Sequence, residues 1–177
     1  LSTLVLTTDA AYDPLAADLA VGESITYTMT VTLKEGRTTI LLTSDLADAP
    51  GLLAITATNV SFIGGNIQGS SLAVGQPAVT SDAAPLTGYL DFAEFDFGEV
   101  TNIGDNVEDD NDRIRVTVTG TVVDIPANVD GVSMVQAADL THALGSFSSS
   151  ASVDVVEPDL VMTKTGQFTG SSVVVGP

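Results

Sequence analysis

The chain has 177 residues, enough for one domain that buries roughly 70% of its unfolded surface. It carries 23 acidic residues against five basic ones, a formal charge of −18, and none of its apolar runs nears the ~20 residues that a membrane-spanning helix needs. Nucleic acid and anionic membrane, which both require clustered Lys and Arg, are thereby excluded as partners; with no cysteine, disulfides and thiolate chemistry are excluded too.

A first strand is predicted over Leu4–Thr8. Asp9 to Ala20 has some helical spacing but contains Pro14, so it reads as a loop with at most one helical turn. From Ile25 to Leu33, Ile25, Tyr27, Met29, Val31 and Leu33 alternate with four threonines, the period-two pattern of a strand with one buried face. A turn at Lys34-Glu35-Gly36-Arg37 leads into a strand at Thr39–Thr43. Ala49-Pro50-Gly51 then precedes a strand at Leu53–Phe62, which holds the sequon Asn59-Val60-Ser61. After Gly64-Gly65-Asn66, the stretch Asn66 to Ala84 is rich in Gly, Ser and Pro and is expected to be a long surface excursion.

The next predicted strand, Thr87–Phe97, does not alternate cleanly. Leu90 and Phe92 fall on one parity and Phe95 and Phe97 on the other, so a bulge near Ala93-Glu94 is expected to bring all four to one face. Arg113–Val123 alternates again, with Ile114, Val116, Val118 and Val122 against Arg115, Thr117, Thr119 and Thr121. A turn at Asn128-Val129-Asp130-Gly131 leads to Val132–Leu140 and Phe147–Val156. Many short strands without an amphipathic helix specify an all-β class, an antiparallel β-sandwich of immunoglobulin-like kind.

Between two of these strands lie Asp105, Glu108, Asp109, Asp110 and Asp112, with Asn106 and Asn111 among them. Oxygen ligands at this density suit Ca²⁺, and Asp105, Asp109, Asp110 and Asp112 are its candidate ligands. The EF-hand pattern is not met, since Arg113 stands where a third ligand belongs; the competing reading is a solvated acidic loop. No other cofactor is indicated. A second candidate is the junction of Glu157 and Asp159 with loop acids such as Asp13 or Asp18. Asp91, Glu94, Asp96 and Glu99 flank aromatic residues, as in a paired-carboxylate glycosidase, but Trp is absent and Tyr scarce, so the Phe residues are read as core and the acids as facing water. His142 is the single histidine. Without Cys or a G-x-S-x-G elbow it indicates neither zinc nor a serine triad, and it is read as a surface residue at a strand end. The run Ser146, Ser148, Ser149, Ser150 and Ser152 reads as a polar strand face that could equally carry O-glycans.

The end of the chain restarts its beginning. Leu4-Val5-Leu6-Thr7-Thr8 is echoed by Leu160-Val161-Met162-Thr163-Lys164-Thr165, and Val21-Gly22 by Val175-Gly176. This predicts a sandwich module over residues 1–156, a linker at 157–159 containing Pro158, and at 160–177 the first strand of a following repeat or a strand exchanged with a neighbour. The chain begins at Leu1 and is expected to be a piece of a longer protein, with any signal peptide outside it.

Several segments resemble a known family. Ala20-Val21-Gly22-Glu23-Ser24-Ile25-Thr26-Tyr27-Thr28-Met29-Thr30-Val31-Thr32, Phe95-Asp96-Phe97-Gly98-Glu99-Val100-Thr101-Asn102 and Val156-Glu157-Pro158-Asp159-Leu160-Val161-Met162-Thr163-Lys164-Thr165 are similar, in order and spacing, to the DUF11-like and fimbrial isopeptide-forming D2-type tandem repeats of large bacterial and archaeal surface proteins. The resemblance implies a secreted, cell-surface, non-catalytic repeat of a fibre, adhesin, matrix or surface layer. It would act as a load-bearing spacer whose partners are neighbouring modules of the same chain, with self-assembly into fibres. The alternative is a carbohydrate- or protein-binding module, calcium-dependent or not, whose ligand the sequence does not specify. Relatives can form a Lys–Asn isopeptide crosslink. Here Thr8 stands at the Lys position and Gln136 near the Asn position, so no crosslink is expected within this unit, whereas Lys164 leaves one open for the next.

Overall fold

The computed structural model describes residues 3–8, 18–48, 52–83 and 87–156. Eleven strands follow one another along the chain: β1 (Thr3–Thr8), β2 (Asp18–Ala20), β3 (Ser24–Thr32), β4 (Gly36–Asp48), β5 (Leu53–Ile63), β6 (Ile67–Gln68), β7 (Val79–Ser81), β8 (Phe92–Asn102), β9 (Arg113–Val122), β10 (Ser133–His142) and β11 (Gly145–Val156). One turn of 3-10 helix, Asp110–Asp112, precedes β9. One sheet has the order β1-β3-β9-β5. The other runs β2-β11-β10-β4-β8-β6, with β7 also on β8.

The two sheets pack face to face as an immunoglobulin-like sandwich, because every long strand keeps one apolar face. On β3, Ile25, Tyr27, Met29 and Val31 are buried, and β9 sets Ile114, Val116, Val118 and Val122 beside them. Leu42, Ala93, Phe95, Phe97 and Leu140 of the second sheet complete a single continuous core. Each large side chain buried there contributes about 1.5–3 kcal/mol relative to exposure. Gly120 occupies one core position of β9. A Cβ there would come within 3.0 Å of Leu46 Cδ1 and 3.1 Å of Leu53 Cβ, so its absence admits both leucines.

The structure departs from the sequence expectations in four places. The bulge of β8 is not at Ala93-Glu94: the register against β4 shifts between Ile40 and Leu41, opposite Phe97-Gly98. Ala93, Phe95 and Phe97 alternate inward, and beyond the bulge Val100 and Asn102 do so on the other parity. Leu90 is 47% exposed and precedes the strand, so it shares no face with the phenylalanines. β4, predicted over Thr39–Thr43, is longer, since its polar Ser44 and Asp45 still pair with β8 and β10. The loop expected before β3 ends in a strand: β2 pairs with β11 in parallel, Asp18 opposite Asp154 and Ala20 opposite Val156, so the sandwich is not wholly antiparallel. Finally, the excursion after β5 is tied down. Ser71 N donates to Phe97 O, Gly75 N to Val60 O, and Val60 N to Gln76 O, which covers the outer edge of β5.

Strand directions define two poles. β1 begins at Thr3, opposite Thr32, at the pole where the β3–β4, β5–β6, β8–β9 and β10–β11 turns gather. β11 ends at Val156, beside Ala20, at the opposite pole.

Candidate functional site

Three segments far apart in sequence meet at the first pole: the β3–β4 turn, the Gly64-Gly65-Asn66 turn and the acidic β8–β9 loop. Gly64 makes the meeting close. A Cβ on it would lie 2.1 Å from the carbonyl oxygen of Asn111, so only glycine lets the turn abut the 3-10 helix. Asn66 then spans the loop, its Nδ2 donating to Asp105 Oδ2 at 3.0 Å and to Asp112 Oδ1 at 3.2 Å.

The predicted calcium ligands are each engaged by protein donors. Asp105 Oδ1 accepts from Val107 N at 2.8 Å. Asp109 caps the 3-10 helix, Oδ1 accepting from Asn111 N at 2.7 Å and Oδ2 from Asn111 Nδ2 at 3.2 Å. Asp112 completes a capping box by accepting from Asp109 N at 3.0 Å. Asp110 Oδ1 accepts from Arg115 Nη2 at 2.7 Å and from the Arg113 guanidinium, while Arg115 lies over the Phe62 ring, 4.8 Å from its centroid. Glu108 pairs with Lys34. Among the described residues, no group of three or more His, Cys, Asp or Glu is placed to hold a metal ion. A calcium ion at this loop would share its carboxylate oxygens with these N–H donors.

The same contacts govern protonation. Four influences hold the Asp112 carboxyl below its ordinary range: chiefly the backbone N–H of Asp109, with the Asn66 and Asn102 side chains and the Arg113 charge assisting against the burial that opposes them. Hydrogen bonds from Arg115 and Arg113 lower Asp110, and Lys34 lowers Glu108.

Two shallow clefts open at this pole. One, about 360 Å³, is lined by Leu33, Lys34, Glu35, Asn102, Asp112 and loop residues. The other, about 420 Å³, lies between the β3–β4 turn and the β10–β11 hairpin, where Arg37, His142, Leu144 and Phe147 line it. His142 ends β10 as expected and stacks on Phe147, with centroids 5.4 Å apart and planes within 8°. Leu144 at the hairpin tip is 92% exposed.

Of the acids around the β8 aromatics, Asp96 and Glu99 are exposed and Glu94 half-buried. Asp91 corrects the expectation that these acids face water: it is fully buried, accepting from Ala83 N at 2.7 Å and Thr87 Oγ1 at 3.0 Å to close the loop before β8. Gln136 is also fully buried, its Nε2 donating to Ser44 Oγ at 2.8 Å. Thr8 lies opposite Tyr27 in the β1–β3 register. The serines of β11 alternate toward solvent, and Ser148 donates to Asp139. Within the sequon, Asn59 is half-buried on β5 and Ser61 Oγ donates to Arg115 O at 3.1 Å. Asp13, Glu157, Asp159 and Lys164, with the 157–177 boundary and repeat, fall outside the described residues.

Lys34, Glu35, Gly64 and Asn66, which the sequence marks only as turn residues, and Asn102, which it marks only within a resemblance segment, order this pole. Nothing local marks them, because their partners are 30 or more positions away.

No protein-family model matches the chain, and no curated protein matches it. Among solved structures it is similar to the major pilin subunit of Bacillus cereus, at 11% identity and a TM-score of 0.46, covering 88% of this chain and 40% of that one. A 35 kDa C-terminal fragment of the major pilin of Streptococcus agalactiae gives 11% identity and a TM-score of 0.46, over 88% of this chain and 56% of that one. A family 123 glycoside hydrolase of Clostridium perfringens gives 10% and 0.41, over 88% and 28%. The chain thus spans between 28% and 56% of the length of these three structures, and at such identities the likeness carries no functional argument.

Proposed function

We propose that the chain is a non-catalytic, load-bearing module of an extracellular fibre or cell-surface protein, related to the DUF11-like and D2-type repeats. The observation that carries this reading is the placement of its ends. β1 starts at one pole and β11 ends at the other, so tension applied along the chain passes lengthwise through the sandwich. β2 and β11 run parallel and would be drawn in opposite directions, so their hydrogen bonds load together in shear. The antiparallel β1–β3 pair is also loaded lengthwise, because Thr3 at its start is far from the exit.

Single-molecule pulling tests the reading. Pulled through Thr3 and Val156, the module should resist markedly higher force than when pulled through Thr3 and Glu35, which peels β1 from β3 one residue pair at a time. Equal forces in the two geometries would refute a load-bearing design.

A further inference from the structure

We infer that the cleft between the β3–β4 turn and the β8–β9 loop is a pocket for the side chain of a partner's lysine. Asn102 carries the argument. It is the last residue of β8, is 2% exposed and lines the cleft, and among the described residues no donor reaches its Oδ1. Turning the amide over gives no remedy, because Nδ2 donates to Leu33 O at 3.0 Å and a flipped oxygen would face that carbonyl. Buried side-chain oxygens are normally hydrogen-bonded, so an acceptor left over at the wall of a cleft fits a donor that comes from outside.

The other groups of the cleft select a cation. Glu35 receives the N–H groups of Asp105 and Asn106 on Oε1 alone, at 2.9 and 2.5 Å, so among the described residues Oε2 accepts no donor. Gly104 lets this carboxylate come close, since a Cβ there would lie 2.8 Å from Oε2. Glu108 pairs with Lys34 at the same cleft, so an ammonium is already held by one of its acids. With Asp112, three carboxylates line the cleft against one resident cation, Lys34.

These acceptors suit an ammonium better than a metal ion. A metal needs several oxygens converging at bonding distance, and among the described residues no group of three or more His, Cys, Asp or Glu is so placed. An ammonium makes up to three ordinary hydrogen bonds from a compact head, whereas the wide, planar guanidinium of arginine is matched by paired oxygens in its own plane. The stem has a place as well. Leu33 and Val107, the latter 56% exposed, line the cleft, and its volume of about 360 Å³ leaves room for a four-carbon chain. A net charge of −18 favours the approach of a basic partner. The inference goes beyond the load-bearing reading and does not require it.

Titration of the isotope-labelled full chain with Nα-acetyl-lysine methylamide, followed by NMR, tests it. Capped norleucine, which has the stem without the charge, capped arginine, and NaCl of equal ionic strength serve as comparisons. The lysine probe should give saturable shifts at Leu33–Glu35, at Asn106–Glu108 and at the side-chain amide of Asn102, with weaker binding of arginine and none of norleucine. Glu35→Gln should weaken lysine binding several-fold: Gln Oε1 still accepts both loop N–H groups, while its amide puts a donor where Oε2 was. Lys34→Met should strengthen binding several-fold by removing the resident cation, and at 54% side-chain exposure the change leaves the fold intact. Shifts that norleucine or NaCl reproduce, an arginine probe that binds equally well, an unmoved Asn102 amide, or equal affinity in the two variants overturns the inference. The pulling experiment succeeds or fails independently of these results.

Discussion

At the first pole one carboxylate joins two segments. Asp112 is only 2% exposed and accepts from Asp109 N and from Asn66, so it ties the acidic loop to the β5–β6 turn. An asparagine in its place keeps the shape but turns an acceptor into an amide whose own N–H groups face donors. Asp112→Asn should therefore cost about 1–2 kcal/mol at pH 7, as loss of a capping acceptor and a charge-assisted bond does. The sign of its pH dependence follows from the direction of the shift. The folded-state carboxyl lies below the ordinary 3.8, so its contribution is present above that value and is lost as pH falls through the folded-state pKa. Urea denaturation of wild type and Asp112→Asn at pH 7 and pH 3 should show the stability gap narrowing at the lower pH. A constant gap would mean that the carboxylate charge contributes nothing.

At the scale of the element, the bulge in β8 shows how one residue sets the burial of a strand. Gly98 adopts φ +65°, and its N–H is accepted by Asp96 Oδ1 at 2.8 Å, so the chain gains one residue against β4 between Asp96 and Gly98. A Cβ at Gly98 would meet only Ser71, at 3.6 Å or more, which leaves backbone conformation as the sole penalty. Gly98→Ala should destabilise by about 1–2 kcal/mol, and Gly98→Asn by less, because Asn tolerates the left-handed region. Equal losses in equilibrium unfolding would point to packing instead.

The same strand marks how far the sequence can be read. Alternation in β3 and β9 exposed their buried faces directly, because period two needs only neighbours along the chain. In β8 the change of parity was visible and its location was not, since Ala93 gave no apolar bulk to weigh and Leu90 did. β2 escaped notice because three residues are too few for periodicity, and its partner lies more than 130 positions away. The acidic loop was legible as a cluster. Its internal hydrogen bonding was not, since Asn66 and Lys34 approach it only through the fold.

For the whole molecule, two effects of added ions must be separated. A chain with 23 acids and five bases repels itself, and the repulsion is screened over a Debye length of about 10 Å at 0.1 M salt and about 3 Å at 1 M. Raising NaCl from low to molar concentration should therefore raise the melting temperature by several degrees, whichever ion screens. Calcium at the acidic loop would add a second, specific increment, because an ion that binds the folded state alone stabilises by mass action. The loop as folded offers it little: oxygens of Asp105, Asp109 and Asp112 already accept protein N–H groups, and Asp110 is neutralised by two arginines. We expect melts in CaCl₂ and in NaCl of matched ionic strength to coincide, and EDTA to change nothing. A calcium-specific rise that disappears in D105N/D109N would instead mean that the loop reorganises around the ion, exchanging N–H donors for metal coordination.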